Sequence, residues 1–198
     1  TGLTPNTLYY FIVVASNGSG TATSTAVSTT TLAAVPTDFT ASAVSTSQIN
    51  LSWSSTNPSG SVYEIRDSGD ALIATTTATT YSVTGLAENT SYTYKVRTQQ
   101  TGAPSTYSAY SATASDTTTL GTPDAPTSLT PSSVSTTSLT LSWTDASSNE
   151  DSFVVKYGTD GSTYPTTVTT TAPNTATTPV TGLTPNTLYY FIVVASNG

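Results

Sequence analysis

The sequence predicts an all-β protein built from tandem β-sandwiches, and three observations support this. Thr and Ser dominate the composition, and 12 Gly and 11 Pro are available for turns; Thr and Val favour strands. Stretches of alternating polarity, such as 91–98, are short and are separated by Gly, Pro, Asn and Asp, as in antiparallel sheets. The phrase around Trp53 recurs around Trp143, 90 residues later, a spacing that suits one sandwich domain.

An internal repeat organises the whole chain. QINLSWSS, at Trp53, corresponds to SLTLSWTD, at Trp143. A second phrase occurs three times, as GLTPNTLYYFIVVA at 2–15 and 182–195 and as GLAENTSYTYKVRT at 85–98. We interpret these phrases as a unit of about ninety residues in which two slightly different versions alternate.

These motifs resemble fibronectin type III domains. L-x-L-S-W corresponds to the second strand of that family and L-x-x-x-T-x-Y-x-(aromatic)-x-V to the sixth, while NEDSFVVKYGTDGSTY looks like the third strand and following hairpin of bacterial members. The resemblance covers nearly the whole chain and implies immunoglobulin-like sandwiches of seven strands each. It also implies that Trp53 and Trp143 fill the cores, and that Tyr92 and Tyr189, with Tyr9 as a duplicate, form a corner hydrogen bond to nearby backbone.

The resemblance divides the chain into three parts. Residues 1–31 are expected to supply strands F and G of a partial domain, 36–119 a complete domain, and 126–198 a domain that lacks strand G. The linkers 32–36 and 120–126 are short and contain Pro, which predicts semi-rigid connections.

The first 18 residues, TGLTPNTLYYFIVVASNG, are identical to 181–198. Either the chain belongs to an array with a period of 180 residues, or a duplication lets the ends of different copies exchange. In an exchange, two F strands would compete for one position, so we favour a segment of a longer repetitive chain.

Catalysis is disfavoured by the residues that are missing. The sequence has no His and no Cys, which excludes Ser-His-Asp and Cys-His nucleophilic sites and the usual zinc sites. Glycine-rich phosphate-binding motifs are also absent. Asp and Glu fall mainly in turns, where they usually form the turn itself. The sequence therefore predicts a protein that is not an enzyme and has no cofactor and no metal.

One loop is a candidate for calcium, because its side chains carry several oxygen atoms in a short stretch. Its spacing fits no EF-hand loop, so solvated turn residues remain the simpler interpretation. The candidate ligands are Asp145, Asn149, Glu150 and Asp151.

Charge and hydropathy restrict the partners. The net charge is −7 with only four Lys and Arg, which argues against nucleic acid. The longest apolar run, LYYFIVVA, is too short to span a bilayer, so membrane insertion is not expected. Low charge with much Ser and Thr predicts an extracellular or cell-surface protein. N-linked glycans are a further partner class, at the sequons of Asn17, Asn50 and Asn89.

Strand F carries the most informative pattern. Alternation over 187–195 predicts that Tyr189, Phe191, Val193 and Ala195 face the core. The outward residues of the same strand are apolar in the last domain, whereas the middle domain has Ser91, Thr93, Lys95 and Arg97 there. We call Glu64, Arg66, Lys95 and Arg97 the charged face. The apolar face comprises Tyr190, Ile192, Val194 and Val154, with Tyr10, Ile12 and Val14 as duplicates in 1–31.

Two functions are compatible with this pattern. Monomers generally avoid contiguous apolar patches, so one hypothesis is a structural repeat of an extracellular filament or surface fibre, in which copies of the same chain associate through the apolar face. The apolar residues of that face also have a simpler explanation, in which they only favour the β-strand conformation and bind nothing. The alternative function is a spacer, or a carbohydrate-binding or adhesion module, of a secreted enzyme or adhesin. Its candidate sugar-stacking aromatics are Tyr63, Tyr81, Tyr107, Tyr110, Tyr157 and Tyr164, although most such Tyr residues in a sandwich pack in the core or at its rim.

Overall fold

The computed structural model describes residues 2–198, and every regular element in them is a β-strand. A helix with the length and hydropathy needed to cross a membrane is absent from these residues. The chain divides into two compact units, 1–119 and 120–198. The first unit contains an N-terminal hairpin and a complete sandwich, and the second contains another sandwich.

The N-terminal hairpin (2–31) consists of two consecutive pairs of antiparallel strands. Strand β1 pairs with β4, and β2 pairs with β3 nearer the tip. At the tip, the Asn17 side chain accepts a hydrogen bond from the Ser19 amide (2.9 Å), as turn-forming Asn residues do. The four strands are β1 (Leu8–Phe11), β2 (Val14–Asn17), β3 (Gly20–Thr23) and β4 (Val27–Thr30).

The complete sandwich of the first unit has one sheet of three strands and one sheet that contains the charged face. The first sheet has the order β5-β6-β9; in the second, β10 pairs with β7, which pairs with β8, and both β11 and β12 pair with β10 as two halves of strand G. The strands are β5 (Thr37–Ala43), β6 (Gln48–Ser54), β7 (Tyr63–Asp67), β8 (Leu72–Thr76), β9 (Thr80–Thr84), β10 (Ser91–Gln100), β11 (Ala103–Tyr107) and β12 (Ala114–Thr117).

Alternation along β6 supplies one side of the core of that sandwich. Ile49, Leu51 and Trp53 are buried on β6, while the residues between them are exposed. The Trp53 ring meets the ring of Tyr63 edge-on, with centroids 5.4 Å apart. Of the two interpretations of Tyr63, the structure shows a core residue and not an exposed sugar-stacking ring, because Tyr63 is buried on the same side of β7 as Ile65.

The sandwich of the second unit repeats this arrangement with two sheets of three strands. Their orders are β13-β14-β17 and β16-β15-β18, and its core is built around Leu141, Trp143, Phe153 and Val155. The strands are β13 (Thr127–Ser132), β14 (Ser138–Thr144), β15 (Ser152–Gly158), β16 (Thr166–Thr171), β17 (Thr177–Thr181) and β18 (Tyr190–Ser196).

Each copy of the repeated phrase forms the same corner. The hydroxyl of Tyr92 accepts a hydrogen bond from the Ala87 amide at 3.0 Å. The Tyr189 hydroxyl accepts one from the Thr184 amide at the same distance. In the N-terminal hairpin, the Tyr9 hydroxyl accepts a hydrogen bond from the Thr4 amide at 2.8 Å. The side chain thus fixes the turn that precedes strand F to the strand itself.

Candidate functional site

The charged face brings together three of the four cationic residues of the chain. In the pairing of β10 with β7, Lys95 lies opposite Arg66, and Arg97 lies opposite Glu64. Since alternate residues of neighbouring strands project from the same side of a sheet, the four side chains converge on one surface.

Glu64 is the centre of this network. It is only 4% exposed, and its Oε1 accepts hydrogen bonds from Arg66 Nε (2.8 Å) and Arg97 Nε (2.7 Å). Burial raises the pKa of the Glu64 carboxyl, but the hydrogen bonds from the two guanidinium groups outweigh burial and hold that pKa below its usual value. Glu64 is therefore ionised at neutral pH.

The remaining cations of the charged face are also partnered within the domain. Lys95 Nζ lies 2.8 Å from a carboxylate oxygen of Asp70, in the turn after β7, and this hydrogen bond lowers the pKa of Asp70. Arg97 stacks over the rings of Tyr107 (3.9 Å) and Tyr110 (4.6 Å), and Lys95 over Tyr110 (4.4 Å). The charged face therefore meets an acidic turn and satisfies its own charges.

The second unit has an apolar pair at the same cross-strand position. Val194 lies opposite Val154, and Ile192 lies opposite Lys156. Tyr190 and Val194 are 40% and 43% exposed, whereas the three cations of the charged face are half-buried. Whether another chain covers the apolar face stays a prediction.

The duplicates of the apolar face in the N-terminal hairpin are more exposed still. The exposed fractions of Tyr10, Ile12 and Val14 all exceed one half. The second sheet of a sandwich does not lie over this hairpin among the described residues. Both copies of the outward pattern of strand F are thus accessible in the isolated chain.

Several side chains of the acidic loop in the second unit form hydrogen bonds with backbone groups of the loop or of neighbouring segments. Asp145 accepts a hydrogen bond from the Ser147 amide, and Glu150 accepts one from the Asn174 amide. Asn149 directs its side-chain amide to the carbonyl of Gly121. Over residues 2–198, no group of three or more acidic, His or Cys side chains is arranged to hold a metal ion. The hydrogen bonds of Asp145 and Glu150 fix the backbone in and beside this loop.

The remaining candidate sugar-stacking tyrosines do not form an exposed aromatic platform. Tyr81 and Tyr157 pack against the two cores. Tyr107 and Tyr110 lie beneath the cations, and Tyr164 is partly buried. Because stacking on a sugar requires an open ring face, these residues contribute to packing.

The family comparison decides what these domains are. The model of the fibronectin type III domain matches residues 34–113 and 124–198, which together exceed half of the chain. The chain belongs to the fibronectin type III family. The resemblance and the fold class predicted from the motifs are thereby confirmed. Fibronectin type III domains are non-catalytic, so the prediction that this chain is not an enzyme is also confirmed.

Similar proteins place fibronectin type III sequences of this kind inside much longer chains. The chain is 32% identical to Endoglucanase B of Cellulomonas fimi over 99% of its own length, but this covers 20% of that protein. It is 37% identical to Chitinase A1 of Niallia circulans, over 48% of the chain and 16% of that protein. A solved segment of two fibronectin type III domains from chicken tenascin has a TM-score of 0.43 at 20% identity, covering 82% of this chain and 91% of that one.

Proposed function

We propose that this chain is a spacer in a secreted enzyme that degrades a polysaccharide, and that it contributes no catalytic residue. The observation that carries this proposal is the similarity to Endoglucanase B, which spans nearly all of the chain but a fifth of that relative. A second relative is named for chitin. Residues outside the matched region then perform the reaction, and the fibronectin type III domains set the distance to it.

The chemistry of the two faces supports a spacer. The charged face satisfies its ionic groups internally, and the candidate aromatics of both domains are packed rather than displayed. What the chain offers is two sandwich domains whose candidate binding groups are engaged in their own packing. An extracellular location follows from the same proposal, because glucans and chitin are polymers too large to enter a cell intact.

The chain itself tests this proposal in a depletion assay. The 198-residue chain is mixed with insoluble cellulose or chitin, and the protein left in solution and the sugar released are measured. A spacer leaves the protein concentration unchanged and releases no sugar. Depletion of the chain would contradict the spacer role and favour a carbohydrate-binding module, and release of sugar would contradict both.

A second candidate function is self-association through the apolar face, as in a filament. The observation that favours it is the exposure of Tyr190 and Val194 beside Val154 on one sheet. Burying a large apolar side chain contributes roughly 1.5–3 kcal/mol, so a repeated patch of this kind would be sufficient to hold copies together.

We expect Ile192→Lys combined with Val194→Glu to leave the fold intact, because both side chains point away from the core. The free energy of unfolding of the second unit should change by less than about 1 kcal/mol, as for other surface substitutions. If the apolar face joins copies, sedimentation velocity should show association of the parent chain and its loss in this variant. The control is Ser91→Lys with Thr93→Glu, which places the same two charges at outward positions of β10 that correspond to Leu188 and Tyr190. Equal association of both variants and the parent would contradict assembly through this face.

A further inference from the structure

Asn6 is buried although it lies in a turn of the N-terminal hairpin. It is 3% exposed and has a left-handed backbone conformation, with φ of 52°, which Asn tolerates better than most residues. Asn186 occupies the identical phrase in the second unit with φ of 55°, and its side chain is exposed. The burial of Asn6 is therefore caused by the surface that faces it and not by the local sequence.

That surface is an edge of the complete sandwich, where β10 ends. Asn6 Nδ2 donates hydrogen bonds to the carbonyl of Gln99 (3.1 Å) and to Ser61 Oγ (3.4 Å). Asn6 Oδ1 accepts one from the Thr101 amide (2.6 Å). Both ends of one buried amide are thus satisfied by residues 55 to 95 positions away in the sequence.

The linker beside Asn6 is held in the same manner. The side-chain amide of Gln100 donates to the carbonyl of Thr31 and accepts from the amide of Ala33, both at 2.8 Å. Asn57 forms the equivalent pair with the amide (2.8 Å) and carbonyl (2.9 Å) of Ala34. Two side chains therefore bind the linker backbone as a neighbouring strand would, and they are themselves almost fully buried.

We propose that this edge of the sandwich is a socket for the turn of a preceding fibronectin type III domain, and that it makes the joint between them stiff. The socket comprises Asn57, Ser61, Thr98, Gln99, Gln100 and Thr101. Its partner is a T-P-N-T turn together with the linker that follows strand G. The inference rests on the proposed spacer role and deepens it, because a stiff joint keeps the distance between the segments on its two sides constant, whereas a hinge lets that distance vary.

Energetics favour a fixed joint over a mobile one. The socket side chains Asn57 and Gln100 lose their water on burial, so leaving either amide without its hydrogen-bond partners is unfavourable. Swinging the hairpin away would break the bonds to Asn6 and to the linker together. The linker sequence LAAVP is therefore held in place by its neighbours, beyond the stiffness that its proline supplies.

The test compares Asn6→Ala with Asn186→Ala in the 198-residue chain. Both variants place Ala at a left-handed position, in two copies of one identical 18-residue sequence. The free-energy cost of putting Ala into that backbone conformation is therefore the same in both. Residual dipolar couplings measure whether 8–30 and 48–117 share one alignment, and hydrogen exchange reports on the Thr101 amide. In the parent and in Asn186→Ala we expect one alignment. In Asn6→Ala we expect two, with exchange at Thr101 at least about tenfold faster, which corresponds to the loss of one hydrogen bond.

A separate variant keeps the result interpretable if Ala loosens the hairpin itself. Asn6→Asp retains the acceptor for Thr101 but removes the donor to Gln99, and we expect exchange at Thr101 between that of the parent and that of Asn6→Ala. Two alignments in the parent, or the same outcome for Asn6→Ala and Asn186→Ala, would overturn the proposal. These measurements involve no polysaccharide, so they are separate from the test of the spacer role.

Discussion

Replacing Trp53 by Ala is expected to lower the free energy of unfolding of the complete sandwich by about 3–5 kcal/mol, the range for truncating a large buried aromatic. Trp53 is 6% exposed and contacts the rings of Phe39 and Tyr63. For a domain of this size, such a loss lowers the melting temperature by about 12 °C or more. Trp143→Ala should have the same effect on the second unit, because Trp143 is 5% exposed and meets Phe153 edge-on.

Calorimetry of the intact chain measures both effects and tests whether the two domains unfold independently. Each substitution should move one transition and leave the other in place. Trp53→Phe is the matched control, because it keeps an aromatic ring and removes an indole N–H that has no protein acceptor among the described residues. If either Ala variant shifted both transitions equally, the two sandwiches would form one cooperative unit and the domain boundaries would be wrong.

Glu64→Gln is expected to destabilise the complete sandwich by about 3 kcal/mol, because removing one partner of a buried ionic network leaves the other charges unpaired. The guanidinium groups of Arg66 and Arg97 would then face a neutral amide inside the same cluster. The second unit shows that an apolar pair can replace the ionic pair, since Val154 and Val194 occupy the positions of Glu64 and Arg97. Glu64→Val combined with Arg97→Val should therefore cost less than Glu64→Val alone.

The same network determines a pH dependence. The pKa of Glu64 is lower in the folded chain than its ordinary value of about 4.3, so the folded state binds this proton less tightly than the unfolded state does. Its contribution is present above the ordinary value and is lost as the pH falls through the lower folded value. The melting temperature of the complete sandwich should fall more between pH 7 and pH 3 in the parent than in Glu64→Gln. An equal fall in both would show that Glu64 is not the group responsible.

The residue pattern predicts the strands well where one face is buried. Alternation along strand F separates Phe191 and Val193, which pack on the core, from Tyr190 and Val194, which are exposed. A one-residue shift in register would exchange these two sets, so burial specifies the register strongly. For the same reason, the fold class could be predicted from short motifs around Trp53 and Trp143.

The contacts of polar side chains between distant segments could not be predicted in this way. Asn6 and Asn186 lie in identical sequences but differ in burial, because only Asn6 faces Ser61 and Gln99. Glu64 lies on the outward face, where exposure is the simple expectation, but Arg66 and Arg97 cover it. Such contacts depend on which loops meet in three dimensions, and no periodicity in a single sequence records that.

The spacer role is tested most directly in the whole protein that carries this chain. Residues 34–198 are deleted, or are replaced by a flexible Gly/Ser linker of equal length, and hydrolysis is measured on a soluble oligosaccharide and on the insoluble polymer. We predict that activity on the soluble substrate is unchanged in all three proteins, while activity on the insoluble polymer falls in both altered proteins. Loss of activity on the soluble substrate would contradict the account, since it would place part of the catalytic machinery in these domains.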